Sequence, residues 1–193
     1  AKIHFFNKMK TKDIHECLIK AASDLISEDY PNYEMVAARL VWFGVRKEAY
    51  GTYDVPRLYE IVVKNVKKRL YTDEILQYYT EEEFDKIDKM IVHSRDDFFE
   101  YAGSEQMRKK YLVQNRRTKI VYESFQLPYI LVPMILFGEY DKDVRMSYIK
   151  TFYDMASQHY ISLPTPIMAG LRTREKQFSS CTVIDAGDSL DSI

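Results

Sequence analysis

The sequence predicts a mainly α-helical chain that carries one small β-hairpin and closes on a strand. Three observations lead there. Apolar residues recur at steps of three and four over most of the 193 residues, the period of a helix with one buried face. Only 6 Gly and 6 Pro are present, too few for the turns of an all-β architecture. Runs of β type are confined to two stretches, near 110–123 and near 177–184.

In chain order, Thr11 is placed to cap a first helix whose stripe is Ile14, Cys17, Leu18, Ala21, Ala22, Leu25 and Ile26, with Asp13 in the first turn, where the helix dipole favours a negative charge. Pro31 follows its stop. A second helix runs from about Tyr33 to Tyr50 and ends at Gly51, a good C′ residue. Asp54 and Pro56 open a third, with Leu58, Ile61, Val62 and Leu70 inward. Thr72 opens a short helix over Asp73 to Tyr79. Thr80 to Glu83 then has capping-box spacing ahead of Phe84, Ile87, Met90 and Ile91. A further helix is expected over about Asp96 to Lys110.

The period then changes. Lys110 to Gln114 and Ile120 to Glu123 flank Asn115-Arg116-Arg117-Thr118, which reads as a β-hairpin. Gln126 to Phe137 is apolar on nearly every side, a buried helix bent or started by its prolines. Val144 to Tyr160 is amphipathic again. Leu163-Pro164-Thr165-Pro166 cannot continue that helix, Gln177 to Ile184 reads as a strand, and Gly187-Asp188-Ser189 as the turn and N-cap of another helix. Soft boundaries near Gly51 and Tyr160 divide the chain into 1–50, 51–160 and 161–193. The chain starts on Ala1 and stops at Ile193 inside what reads as a new helix, so it reads as cut at both ends.

Composition removes several classes of function. Hydrophobic residues make 46% and charged residues 30%, a globular balance. With 28 basic against 29 acidic residues there is no general pull toward DNA. Two Cys do not make a disulfide scaffold. The longest apolar-rich run, Phe125 to Phe137, is well short of the about 20 residues a membrane helix needs, so the chain reads as non-membrane and cytoplasmic. His4, His15, His93 and His159 lie far apart without metal-ligand spacing, and no metal site is expected. No nucleophile elbow, Walker loop or dinucleotide fingerprint occurs. The basic clusters Lys64 to Arg69, Arg108 to Lys110 and Arg116 to Lys119 read as solvated faces and a hairpin tip, with phosphate binding as the alternative. Cys17 sits on an apolar stripe and reads as a small buried hydrophobe. Cys181, near Arg172, Arg174 and Lys176, is open to either a structural role or a thiolate favoured by those cations.

The C-terminal stretch is the most specific. Ile161 to Met168, Arg172-Thr173, Gln177 to Cys181 and Gly187 to Ile193 follow one another in an order that closely resembles the large (α) subunit of class I ribonucleotide reductase, of bacterial and phage type. Lys12 to Glu16, Ala37 to Arg39, Tyr79 to Phe84 and Lys110 to Asn115 resemble it too, so the likeness spans the chain while covering part of a longer family sequence. The family usually has Pro and then Thr where Arg174-Glu175-Lys176 stand here.

The resemblance implies a fold: the second half of a nucleotide-binding ATP cone over 1–50, a helical domain with the hairpin over 51–160, and over 161–193 the start of a ten-stranded α/β barrel, its first strand being Gln177 to Ile184. It implies an enzyme that reduces ribonucleoside diphosphates to deoxyribonucleoside diphosphates by thiyl-radical chemistry. It implies roles as well. Thr11 and Lys47 match positions that contact the ATP or dATP activity effector, where a hydroxyl and an ammonium suit triphosphate oxygens, and His15, one helical turn from Thr11, faces the same site. A cap, a helix-surface imidazole and a surface charge are their plain alternatives, and some relatives carry a second His where Gly44 stands. Thr165 and Ser180 match residues that hold the substrate. Cys181 matches one member of the redox dithiol, whose partner lies in family sequence beyond Ile193. Asp188, Ser189 and Leu190 match the specificity-effector site. The implied partners are the small (β) subunit with its radical metallocofactor, a second α subunit, and thioredoxin or glutaredoxin as reductant; no cofactor is implied in this chain beyond the ATP, dATP and dNTP effectors, and no DNA. By this resemblance the 193 residues alone do not reduce ribonucleotides. The competing readings are a non-catalytic nucleotide-responsive ATP-cone module, which has no use for Thr165, Ser180 and Cys181, and, more weakly, a helical nucleic-acid-binding domain.

Overall fold

The computed structural model describes residues 5–185, 187 and 188. Among these the regular structure is helical: α1 (Thr11–Ser23), α2 (Asn32–Tyr50), α3 (Leu58–Lys67), α4 (Glu74–Tyr78), α5 (Glu81–Asp88), α6 (Tyr101–Gln106), α7 (Gln126–Leu136), α8 (Lys142–Ser157) and α9 (Thr165–Gly170). None of them is long and apolar enough to cross a membrane.

α7 is the axis of the core. Its residues from Gln126 to Met134 are all buried, which is why the sequence there is apolar on every side. Pro133 gives up a backbone donor inside the helix. The Tyr79 hydroxyl donates to the Met134 carbonyl at 2.8 Å near the helix end. α8, α4 and α9 pack around α7, while α1 and α6 pack on α2. Each fully buried Leu or Ile of α7 contributes about 1.5–3 kcal/mol by leaving water.

Several local signals act as their chemistry requires. Gly51 ends α2 in the left-handed region at φ 78°, and its N–H donates to the Lys47 carbonyl. Thr80 and Glu83 close the capping box of α5 in both directions. α1 departs from expectation. Lys10 stands at its N-cap and Thr11 is already helical, with no side-chain cap bond. The helix buries Ile19 and Ala22, and Leu18 and Leu25 are exposed.

The helix expected over Asp96 to Lys110 is three pieces. A 3-10 turn covers His93–Phe98, Phe99 is extended, and α6 then widens into a π turn over Met107–Tyr111. The cause of the first break is a buried polar network. The Asp96 carboxylate points inward and accepts from Arg46 Nη2 at 2.7 Å and Gln126 Nε2 at 2.8 Å. Gln126 Oε1 in turn accepts from the Tyr153 hydroxyl, which itself accepts from Val92 N. Turning Asp96 out onto a regular helix face would strand those donors. Burial pushes the Asp96 carboxyl up, and the Arg46 guanidinium opposes that.

His93 sits in the same region with its Nδ1 buried and unpartnered. Burial first, and the charge of Arg46 second, lower its pKa from 6.5 to about 4. A neutral buried imidazole binds its proton less readily than it does in the unfolded chain. Its stabilising contribution is therefore full above pH 6.5 and is lost as pH falls toward 4. Thermal melts across that window should show the loss in the wild type and a flatter profile in His93→Gln.

The β elements are smaller than expected. The hairpin is a single antiparallel bridge, Gln114 with Val121, with Asn115 N donating to Ile120 O and Tyr122 N to Val113 O, both at 2.9 Å. Asn115 Oδ1 shapes the tip by accepting from Arg117 N and Thr118 N. The ladder stops because the Glu123 carboxylate, not a strand, takes the N–H of Val113 at 2.7 Å. Gln177 to Ile184 forms no strand. It is irregular, with a bend at Ser180, and mostly exposed, with Val183 and Ile184 80% exposed or more. A strand needs a neighbour to fill its ladder, and among the described residues none is present, so no barrel onset forms.

A second buried cluster fixes the far end of the body. Arg172, 1% exposed, donates through Nε to Glu123 at 2.9 and 3.1 Å and also through Nη2, which reaches Tyr111 O at 2.8 Å as well. Nη1 donates to Met168 O. Glu123 accepts from the Tyr71 hydroxyl too, and Thr72 N donates to Arg172 O at 3.0 Å. Four distant segments thus meet on one ion pair.

Candidate functional site

α1 and α2 enclose a cavity of about 390 Å³. Thr11, Lys12, His15 and Glu16 come from one face of α1, at helical spacing. Gly44, Val45, Lys47 and Glu48 come from the last turns of α2. Tyr53 closes one side, and Arg108 reaches in from the π turn. The three residues matched to an activity effector, Thr11, His15 and Lys47, thus line one cavity.

The contacts there are polar and mostly labile. Lys47 Nζ donates to Gly51 O at 2.7 Å and lies 5.3 Å from the Tyr53 ring centre, itself edge-on to Phe43. Lys12 pairs with Glu48 at 2.5 Å on an exposed face, an ion pair that costs little to exchange. Arg108 pairs with Glu16 at 2.7 Å and Glu105 at 2.9 Å. The imidazole of His15 is fixed differently: its Nε2 lies 2.7 Å from the Leu40 carbonyl of α2. Lys12, Lys47 and Arg108 face two carboxylates, so the lining keeps a small cationic excess beside an aromatic ring. Such a lining suits an anion that carries a flat apolar part.

The other site residues are dispersed. Thr165 is the first residue of α9, behind Pro164. Ser180 and Cys181 are exposed on this irregular segment, where the Ser179 hydroxyl donates to Cys181 O at 2.9 Å. None of the three lines a cavity described here. Their neighbours Pro166 and Ser179 do line a groove of about 700 Å³ between the bridge and α9, together with Lys109, Lys110, Arg116 and Lys119. Two basic clusters separate in sequence thereby share one wall. Arg172 is not a cation for Cys181, because its charge is buried against Glu123. Lys176 is engaged with Glu74 at 2.8 Å. Asp188 is exposed, and Ser189 and Leu190 lie outside the described residues.

Sequence reasoning did not place Arg108 or Tyr53 in the cavity. Arg108 was hidden by the π turn, which no periodicity announces. Gly44 stands out in the sequence only as a position where some relatives carry His; that the His15 ring occupies the space of its missing side chain is visible only in the structure.

Comparison with known proteins adds an independent line. Residues 97–176 match the family model described as "Ribonucleotide reductase, all-alpha domain". The chain is 54% identical over 191 residues to ribonucleoside-diphosphate reductase 1 subunit alpha of Salmonella typhimurium, and 54% over 191 residues to that of Escherichia coli; each match takes in 99% of this chain and 25% of the relative. It is 41% identical over 192 residues to the ribonucleoside-diphosphate reductase subunit alpha of Enterobacteria phage T4, covering all of this chain and 25% of that protein. The chain thus spans about a quarter of the length of these relatives. Along essentially its whole length the chain is therefore similar to one quarter of the ribonucleoside-diphosphate reductase α subunits of these bacteria and this phage.

Proposed function

We propose that these 193 residues serve an α subunit that reduces ribonucleoside diphosphates to deoxyribonucleoside diphosphates, and that the α1–α2 cavity binds its ATP or dATP activity effector. In this reading, residues 1–50 act as part of an ATP cone, 51–160 as a helical domain, and 161–193 as the entry to the α/β barrel. Lys47 and Thr11 meet the phosphates and His15 lines the same pocket. Thr165 and Ser180 hold the substrate diphosphate, and Asp188, Ser189 and Leu190 serve a specificity effector. The α subunit pairs with a second copy and with a radical-generating small subunit, and thioredoxin or glutaredoxin returns it to the reduced state.

The chemistry balances around Cys181. Replacing the ribose C2′–OH by C2′–H takes two electrons and two protons. Cys181 and a second cysteine from outside this chain give them up, a disulfide forms, and the oxygen leaves as water. An exposed, unpaired thiol on an irregular segment is free to approach a substrate and then a reductant.

What carries the effector assignment is the convergence of Thr11, His15 and Lys47 on one cavity. Titrating ATP and dATP onto the chain by calorimetry tests it. Lys47→Ala should weaken binding by about tenfold or more, the worth of a charge-assisted phosphate contact. Equal affinity in the two proteins would place the nucleotide elsewhere.

A further inference from the structure

We propose that Gly44 is a positioning residue of this cavity: its missing side chain lets the His15 ring lie against α2, and that pose fixes which nitrogen His15 offers a ligand. The inference rests on the reading of the cavity as a nucleotide site.

The space at Gly44 is already taken. A Cβ built there would stand 2.6 Å from His15 Nε2 and 2.8 Å from His15 Cδ2, closer than nonbonded atoms approach. Gly44 lies within a regular helix, so the backbone does not ask for glycine. The ring does. Any side chain at 44 and the present His15 pose exclude one another.

The pose has a chemical consequence. Leu40 O can only accept, so the 2.7 Å contact requires the proton on Nε2. A neutral imidazole then has its lone pair on Nδ1, and among the described residues no hydrogen bond reaches that nitrogen. His15 therefore offers the ligand an acceptor, while Lys47 and Arg108 offer cationic donors. A ligand that satisfies all three carries an anionic part for the cations and an N–H or O–H donor, from a base amine or a sugar hydroxyl, for Nδ1. Without the Leu40 contact, both tautomers become available and the site loses that selection.

Two measurements on the chain test this, one without nucleotide. Long-range ¹H–¹⁵N spectra of the histidine side chains, with the His15 signals assigned by loss in His15→Ala, should show the Nε2–H tautomer for wild-type His15 at about pH 8. In Gly44→Ala that signature should change to a mixture, and ATP affinity should fall by about tenfold. If Gly44→Ala fails to fold, the Gly44→Ala/His15→Ala double variant decides. Recovery of the melting behaviour of His15→Ala shows that ring and Cβ were the conflict, and continued failure to fold overturns the proposal. An unchanged His15 signature in a folded Gly44→Ala overturns it too. If the wild type binds no ATP but the signature responds to Gly44→Ala, the positioning stands and the effector reading falls.

Discussion

Arg172→Ala should cost the chain about 3–5 kcal/mol of stability, because it leaves the Glu123 carboxylate buried without its cation. Glu123 is wholly inaccessible to solvent, and with Arg172 gone it keeps only the Val113 N–H and the Tyr71 hydroxyl. The loss spreads, because the carbonyls of Met168 and Tyr111 lose their donor as well. Urea denaturation of wild type and variant measures the difference. A double variant, Arg172→Met/Glu123→Leu, should recover much of it, since an apolar pair removes the stranded charge together with its partner. A loss below about 1 kcal/mol for Arg172→Ala would mean that water reaches Glu123 and that the four segments are not held by this pair.

That cluster also shows where reading a sequence succeeds and where it stops. Arg172 was conspicuous beside Thr173, and the plain inference from its charge was a cation near Cys181. Its partner lies 49 residues back, and nothing local announces such a pairing. The devices that depend on a few adjacent residues were legible: the Thr80–Glu83 box, Gly51 as a left-handed stop, and the apolar run of α7 as a helix buried from Gln126 to Met134. The break at Phe99 was not, because it follows from Arg46 and Gln126 capturing Asp96 across 50 and 30 residues. The strand expected over Gln177 to Ile184 has β-type residues, but a strand is a property of a pair and the described residues hold no second member. In the cavity, Thr11 and Lys47 were paired by the resemblance and His15 by its place one helical turn from Thr11, and all three stand on α1 and α2, which pack on each other. Arg108 enters through a π turn and Gly44 through the close approach of the His15 ring, and no periodicity announces either contact.

On the function proposed above, Cys181→Ser in an α subunit assembled with its small subunit and a protein dithiol reductant should reduce sustained turnover by about 10³-fold or more, to background. A hydroxyl fills nearly the same space as the thiol and can still make hydrogen bonds, so binding survives. It cannot give up an electron pair and form a sulfur–sulfur bond, and the two-electron reduction at C2′ then has no donor. Cys17→Ser is the control. Cys17 is half-buried on α1, away from the segment that carries Cys181, and its loss should leave turnover within about twofold, because a small residue on that face contributes packing alone. Substrate affinity separates the proposed role from a structural one. If Cys181→Ser weakened diphosphate binding as much as turnover, the residue would be holding the segment in place. If turnover survived, the reducing dithiol would lie elsewhere. On the 193-residue chain, iodoacetamide should alkylate the exposed Cys181 before the half-buried Cys17, and peptide mapping by mass spectrometry reads that order directly.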